Sequence, residues 1–221
     1  MFDPSQRSKA FNFALKAQEI FGLIMGLFVL WSVWAVLFSE IEYIFISKVL
    51  LTLISVGFAL ITPLIDFNES HATNPLWTGH ARFHLVWQVN AMILSSFLSL
   101  YLIWFVGDLF SLGLVFCIIY LWVIAFILTV IAMPLYDGEL NDINGVPPIR
   151  STFFGKSIEI DRNVQAISGV FVLNTYSLVL FLIYHNIYYT NIEVLYFLSL
   201  EAFPIYIIIK NMFFLLAYQL R

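Results

Sequence analysis

Long apolar runs alternate along the chain with short clusters of charged and polar residues. A membrane-spanning helix needs roughly 20 mostly apolar residues, and the gaps between charges supply runs of that length. We therefore predict an all-α fold, a polytopic transmembrane helical bundle that forms a single integral membrane domain over residues 1–221. The six predicted spans lie at about residues 20–38, 43–65, 83–106, 109–136, 164–184 and 194–217.

The composition supports this class of protein. Hydrophobic residues make up 62% of the chain and charged residues only 11%, whereas soluble domains carry about a quarter charged residues. The apolar core of the first span is too long for the h-region of a signal peptide, so we expect a retained helix. A single cysteine, Cys117, excludes an intramolecular disulfide and any multi-cysteine zinc or iron–sulfur site.

The distribution of basic residues predicts an orientation. With six spans, the N-terminus, the loops 66–82 and 137–163 and the C-terminus fall on one side of the membrane. That side carries eight of the ten basic residues: Arg7, Lys9, Lys16, Arg82, Arg150, Lys156, Arg162 and Arg221. Because loops rich in Lys and Arg stay inside, we expect this side to be cytoplasmic.

The expected location is the bacterial inner membrane. The expected partners are the lipid bilayer and other membrane proteins, with no nucleic acid.

Residues 74–84, NPLWTGHARFH, join a polar loop to the third span. Asn74 is a candidate N-cap and Pro75 a candidate first helical residue, which predicts a helix that begins at Pro75. His80, His84 and Gln88 then follow at four-residue spacing and form a polar stripe, with Asn90 close by in sequence. We expect this stripe to face the protein interior or water rather than lipid.

Two kinds of site fit this region. In the first, the histidines of the stripe form a zinc or iron site with nearby ligands, because imidazole and carboxylate bind these metals. The candidate metal ligands are Asp66, Glu69, His71, His80 and His84. In the second, Arg82 and its flanking histidines hold a phosphate or carboxylate head group. The candidate residues for that binding are His80, Arg82, His84, Gln88 and Asn90. The general-base glutamate of an HExxH motif is missing, since Ala81 stands in its place.

The same eleven residues, from Asn74 to His84, resemble a segment in some small, uncharacterised multi-pass membrane families. The resemblance covers only this stretch and implies no activity.

The loop 137–163 is rich in turn-forming residues. Beyond them, Ile149–Phe154 and Ser157–Asp161 alternate around Gly155-Lys156, which predicts a short β-hairpin. We expect this loop to form a solvated cap over the region 66–84.

Glu201 lies about two turns into the last predicted span, where a carboxylate is costly unless it is paired, protonated or hydrated.

Three functional hypotheses follow from these features. In the first, the protein binds a lipid-like or other amphiphilic ligand at the polar site, with or without a role as an accessory subunit of a membrane complex. Alternatively, it is a metal-dependent membrane enzyme that uses the histidines. The third hypothesis is a small proton- or ion-coupled transporter that uses Glu201.

Overall fold

The structure, a computed structural model, describes residues 7–140, 144–153 and 156–185. Within these ranges, five helices are long and apolar enough to cross a membrane, so the chain is a multi-pass integral membrane protein. The predicted span 194–217, Glu201 and the C-terminus lie outside the described residues. The sixth span and the side of the membrane on which each terminus lies therefore stay predictions.

The spanning helices follow the predicted order. Helix α1 covers Lys9–Phe38, and α2 covers Tyr43–Val56 and continues through a π-turn into the short α3. Helix α4 covers Gly79–Tyr101 and ends in a second π-turn. Helix α5 covers Leu109–Ala132, with one turn of 3₁₀-helix after it, and α6 covers Arg162–Tyr184. The remaining bounds are Gly57–Ile61 for the first π-turn, Thr62–Asp66 for α3, Leu102–Val106 for the second π-turn and Met133–Leu135 for the 3₁₀ turn.

Helix α1 begins well before the predicted first span. Ser8 is its N-cap, and its hydroxyl oxygen accepts a hydrogen bond of 3.0 Å from the backbone N–H of Phe11. The helix contains 30 residues, which at 1.5 Å each is about 45 Å, longer than a hydrocarbon core of about 30 Å. The early charged residues Lys9 and Lys16 are therefore compatible with a helix whose first turns extend beyond the hydrocarbon.

The π-turn of α2 allows close packing and lies just before a proline. Pro63 has no N–H to donate to the helix, and the hydrogen-bond ladder widens in Gly57–Ile61 immediately before it. A Cβ on Gly57 would lie only 2.9 Å from Cε1 of Phe21. Glycine at this position therefore lets the Phe21 ring of α1 contact the backbone of α2.

A lysine lies at the far end of α4. Gly107 adopts a left-handed conformation, with φ of 68°, and its N–H donates to the carbonyl of Leu102 at 2.8 Å. Lys48 Nζ comes within 3.0 Å of the position that a Cβ on Gly107 would occupy. The ammonium group thus lies at the carboxyl end of a helix, where the helix dipole favours a cation.

Polar contacts join α6 to its neighbours inside the apolar bundle. The Ser47 and Ser177 hydroxyls are 2.8 Å apart, and each lies 3.0 Å from the other residue's carbonyl, so each hydroxyl proton has two acceptors within reach across the helix pair. Asn174, fully buried, donates to the Phe116 carbonyl at 3.4 Å, while its side-chain oxygen has no hydrogen-bond partner among the described residues. Such contacts stabilise helix pairs in a medium where water cannot compete.

The predicted hairpin is present with a shifted turn. Strand β1, Ile149–Phe153, pairs antiparallel with β2, Lys156–Ile160, and Phe153 pairs with Lys156. The two connecting residues are therefore 154 and 155, one position earlier than the predicted Gly155-Lys156. The turn residue that the sequence pattern assigned to the connection, Lys156, pairs in the ladder instead.

Candidate functional site

The start of α1, the loop after α3 and the segment before β1 meet at one end of the bundle. We call this the loop end, and it carries residues 7–8, 67–78 and 144–153. The Arg7 guanidinium donates to the carbonyls of Asn144 and Gly145 at 2.6 and 3.0 Å. The two loops that the charge pattern assigned to one side of the membrane thus contact the same N-terminal segment.

The Glu69 carboxylate, in the loop after α3, binds the N-cap residue of α1. Glu69 accepts hydrogen bonds from the backbone N–H and the hydroxyl of Ser8, each at 2.7 Å. Partial burial acts to raise the pKa of Glu69, but the hydrogen bonds from Ser8 and the nearby charge of Arg7 outweigh it and hold that pKa below its usual range. Glu69 is therefore an ionised anchor for the start of α1.

Asn74 links the two loops instead of capping α4. Its side-chain oxygen accepts from the Asn144 amide and from the Leu76 backbone N–H, each at 3.0 Å, and the residue is fully buried. The predicted helix start at Pro75 is therefore wrong. Helix α4 begins at Gly79, where Thr78 is the N-cap and accepts from the Ala81 N–H at 3.3 Å.

His71 belongs to the interior of the loop rather than to the polar stripe. Its Nδ1 lies 2.7 Å from the Ser70 hydroxyl and 3.6 Å from a carboxylate oxygen of Asp66. Its ring meets Trp77 edge-on, with 5.5 Å between ring centroids. These contacts hold the imidazole within the fold of residues 66–77.

The structure separates the five predicted metal ligands into three places. Glu69 contacts Ser8, Asp66 contacts His71, and His80 contacts His84. In the part of the chain that the structure describes, no group of three or more His, Cys, Asp or Glu side chains is arranged to hold a metal ion. The five-residue cluster predicted from sequence proximity is thus not formed there, because the loop folds His71 and Glu69 toward α1 and α3.

The polar stripe of α4 is exposed within the part of the chain that the structure describes. His80, His84, Gln88 and Asn90 are all exposed, as are the intervening rings of Phe83 and Trp87. Burial of α4 within the bundle begins only at Val89. Among the described residues no element packs over the first turns of α4, so the expectation that the stripe faces water or the protein interior rather than lipid stays a prediction.

Arg82 lies beside this stripe with part of its hydrogen-bonding capacity unused. Its Nε donates to the Trp77 carbonyl at 3.1 Å, and the residue is half-buried. None of the charged contacts found among the described residues joins Arg82 to an acidic side chain. The terminal nitrogens of this guanidinium therefore have no carboxylate partner in the part of the chain that the structure describes.

We call the exposed group at the start of α4 the α4 surface. It consists of His80, Arg82, Phe83, His84, Trp87 and Gln88. Comparison with protein-family models, with curated proteins and with solved structures gives no match for this chain. Any functional conclusion about the α4 surface therefore comes from its own chemistry.

Sequence reasoning identified His80, Arg82, His84 and Gln88 of the α4 surface, but not Phe83 and Trp87. It also missed the contacts of the loop end, where Ser8 and Asn144 bind the loop after α3 and Arg7 binds residues 144–145. No local pattern indicates these contacts, because Arg7 and Asn144 are 137 residues apart in the chain.

Proposed function

We propose that the protein binds an amphiphile with an anionic head group, such as an acidic phospholipid, at the α4 surface. The single observation that supports this most directly is Arg82, a half-buried arginine with no acidic partner among the described residues. A guanidinium presents donors in a planar fork that matches phosphate and carboxylate groups. Since Nε is held by the Trp77 carbonyl, the fork is fixed in position before a ligand arrives.

The neighbouring side chains suit an amphiphile better than a small free anion. His80 and His84 add hydrogen-bonding groups beside Arg82, while Phe83 and Trp87 are each 62% exposed. Tryptophan is enriched at the boundary between head groups and acyl chains, and the apolar ring of Phe83 lies one turn before Trp87. Trp87 lies eight residues beyond Gly79, about 12 Å along the helix axis, which is enough to pass from the head-group region into the hydrocarbon.

We further propose that the loop end faces the cytoplasm, because Arg7 and Arg150 lie in it and further basic residues, Lys9 and Arg82 among them, follow its segments closely in the chain. Cysteine labelling tests this in intact cells, in a Cys117→Ala background. Thr73→Cys and Thr152→Cys, both at exposed loop-end positions, are expected to resist an impermeant reagent added outside. Glu40→Cys, exposed at the opposite end, is expected to react. Labelling of the two loop-end cysteines from outside would reverse the assignment.

Lipid binding by the purified full chain tests the ligand. We expect native mass spectrometry to detect bound phosphatidylglycerol in preference to phosphatidylcholine, and Arg82→Gln to weaken this binding about tenfold or more, since hydrogen bonds to charged groups contribute about 1.5–3 kcal/mol. Arg150→Gln is the matched control, because Arg150 is exposed near the same end and already pairs with Glu159 at 2.8 Å. Equal losses in the two variants would indicate general charge attraction and would contradict a defined site.

The remaining hypotheses have less support in the described residues. A metal-dependent enzyme calls for a ligand set that the described residues do not assemble on their own. The transport hypothesis depends on Glu201, which lies outside them. A role as an accessory subunit stays a prediction, to be tested by co-purification of partners from native membranes.

A further inference from the structure

The two histidines of the α4 surface point their ring nitrogens at each other. His80 Nε2 and His84 Nε2 are 3.0 Å apart, and the ring centroids are 4.5 Å apart with the planes nearly perpendicular. Both side chains are exposed. Two metal-ligating atoms therefore lie side by side with access from outside the bundle.

This separation matches the distance between two ligands of one metal ion. Zinc binds imidazole nitrogen at about 2.0–2.1 Å. Two such bonds at a tetrahedral angle place the nitrogens about 3.3 Å apart, and two bonds at a right angle place them about 2.9 Å apart. The observed 3.0 Å lies between these values. We propose that His80 and His84 form a two-imidazole chelate for a divalent transition-metal ion of the zinc, copper and nickel class.

Neighbouring rings hold the two imidazoles in this arrangement. The Phe83 ring lies nearly parallel to the His80 ring at 6.4 Å, and the Trp87 ring lies 6.0 Å from that of His84. Residues four apart on a helix also share a face, so the pair needs no loop rearrangement to meet an ion. Pre-arranged ligands lose less conformational freedom when the metal binds.

The 3.0 Å contact between the two Nε2 atoms can also be a hydrogen bond between the two rings in the absence of a metal ion. In that bond one neutral imidazole donates its Nε2 proton and the other Nε2 accepts it. When a metal ion binds, the donating ring carries its proton on Nδ1 instead, and both Nε2 lone pairs point at an ion that lies beside the line between the two nitrogens. The remaining coordination positions face outward, where water or an anionic oxygen completes them. Since the described residues supply only two ligands, the bound ion is exchangeable, unlike the closed four-ligand sites that hold structural zinc.

Metal binding to the untagged full chain in detergent tests the chelate without any lipid ligand. A polyhistidine tag must be absent, because it would bind the same ions. We expect isothermal titration to give one zinc ion per chain, and His80→Ala or His84→Ala to weaken binding about 100-fold through loss of the second, intramolecular ligand. We also expect the paramagnetic resonance spectrum of bound Cu²⁺ to carry the splitting of two imidazole nitrogens.

A variant with the same number of histidines provides the control for spacing. His84→Ala combined with Ala81→His keeps two adjacent exposed histidines but places them on different faces of α4. We expect this variant to bind zinc as weakly as the single-alanine variants while its thermal unfolding matches that of the wild type. Wild-type affinity in the spacing variant, or a copper spectrum with one nitrogen in the unmodified chain, would overturn the proposal.

Discussion

The contact between Glu69 and Ser8 makes a quantitative prediction about the start of α1. In Glu69→Gln, the carboxamide retains one acceptor oxygen, but the second oxygen becomes an NH₂ group and the charge is lost. Two charge-assisted hydrogen bonds of 2.7 Å are thereby reduced to one neutral bond. Hydrogen bonds to charged groups contribute about 1.5–3 kcal/mol and neutral ones about 1 kcal/mol. Two charged bonds exchanged for one neutral bond would cost about 2–5 kcal/mol, but Glu69 is only partly buried and solvent screens its charge. We therefore expect the free energy that holds the first turn of α1 closed to fall by about 1–2 kcal/mol.

Hydrogen exchange measures this local free energy directly. When closing is faster than exchange, a loss of 1–2 kcal/mol raises the exchange rate by a factor of roughly 5–30. We expect this increase at the amides of residues 8–12 and no change in the middle of α4 or α5. Glu40→Gln is the matched control, because Glu40 is exposed at the opposite end of the bundle.

The pH dependence of hydrogen exchange at residues 8–12 is an independent test of the contribution of Glu69. The pKa of Glu69 is lowered in the folded protein, so its ionised form is favoured by folding. Its contribution is therefore fully present above the ordinary glutamate pKa of about 4.3, and is lost as the pH falls through the lower folded-state pKa. In the wild type, exchange at residues 8–12 should speed up relative to the rest of α1 only in acid. In Glu69→Gln this acid response should disappear. Equal exchange in the two proteins at neutral pH would refute the reasoning.

Three further predictions concern the bundle itself. Gly107→Ala should lower the free energy of unfolding by about 1–2 kcal/mol, since φ is 68° and the new Cβ would meet Lys48 Nζ at 3.0 Å; thermal unfolding in detergent measures this. Asn174→Leu should raise the melting temperature, because it removes a buried oxygen that has no partner among the described residues, which costs about 1–3 kcal/mol; a lower melting temperature would contradict this. A double-mutant cycle on Ser47→Ala and Ser177→Ala should give a coupling of about 0.6 kcal/mol and at most about 2 kcal/mol; additive effects would show that the pair is not coupled.

The sequence predicted the described spans well because their ends are charged or turn-forming. Charge gaps placed the third and fourth spans at residues 83–106 and 109–136, and the corresponding helical runs are Gly79–Val106 and Leu109–Leu135. Helix α1 departed most from its prediction. A stretch without charged residues shows which part of a helix can lie in the hydrocarbon. The helix itself can extend further into water, and α1 does so until its N-cap at Ser8.

The start of α4 was misplaced for a non-local reason. Asn74 and Thr78 are both good N-cap residues, and Pro75 favoured the earlier choice. The side-chain oxygen of Asn74 is instead used by Asn144, 70 residues away, and by the Leu76 N–H. Local sequence carries no information about such a partner, so the four-residue error follows from a contact between loops.

The candidate site was predicted in part. The four-residue spacing correctly indicated that His80 and His84 share a face, and their 3.0 Å separation confirms it. Periodicity identifies a face but not its neighbour, so the sequence could not show that the described elements leave this face uncovered. His71 was grouped with the pair on proximity in sequence alone, and its interaction with Asp66 shows why proximity in a turn-rich loop is a poor guide.

The distance along the chain between Arg7 and Asn144 has a consequence for biogenesis. Ribosomes add about 5–20 residues per second, so the 137 residues between these partners take roughly 7–27 s to synthesise. During that delay four helices have to enter the bilayer while the N-terminal guanidinium still lacks its acceptors. The loop end is therefore closed late in synthesis, and truncated nascent chains that stop before Asn144 should remain susceptible to proteases at their first residues.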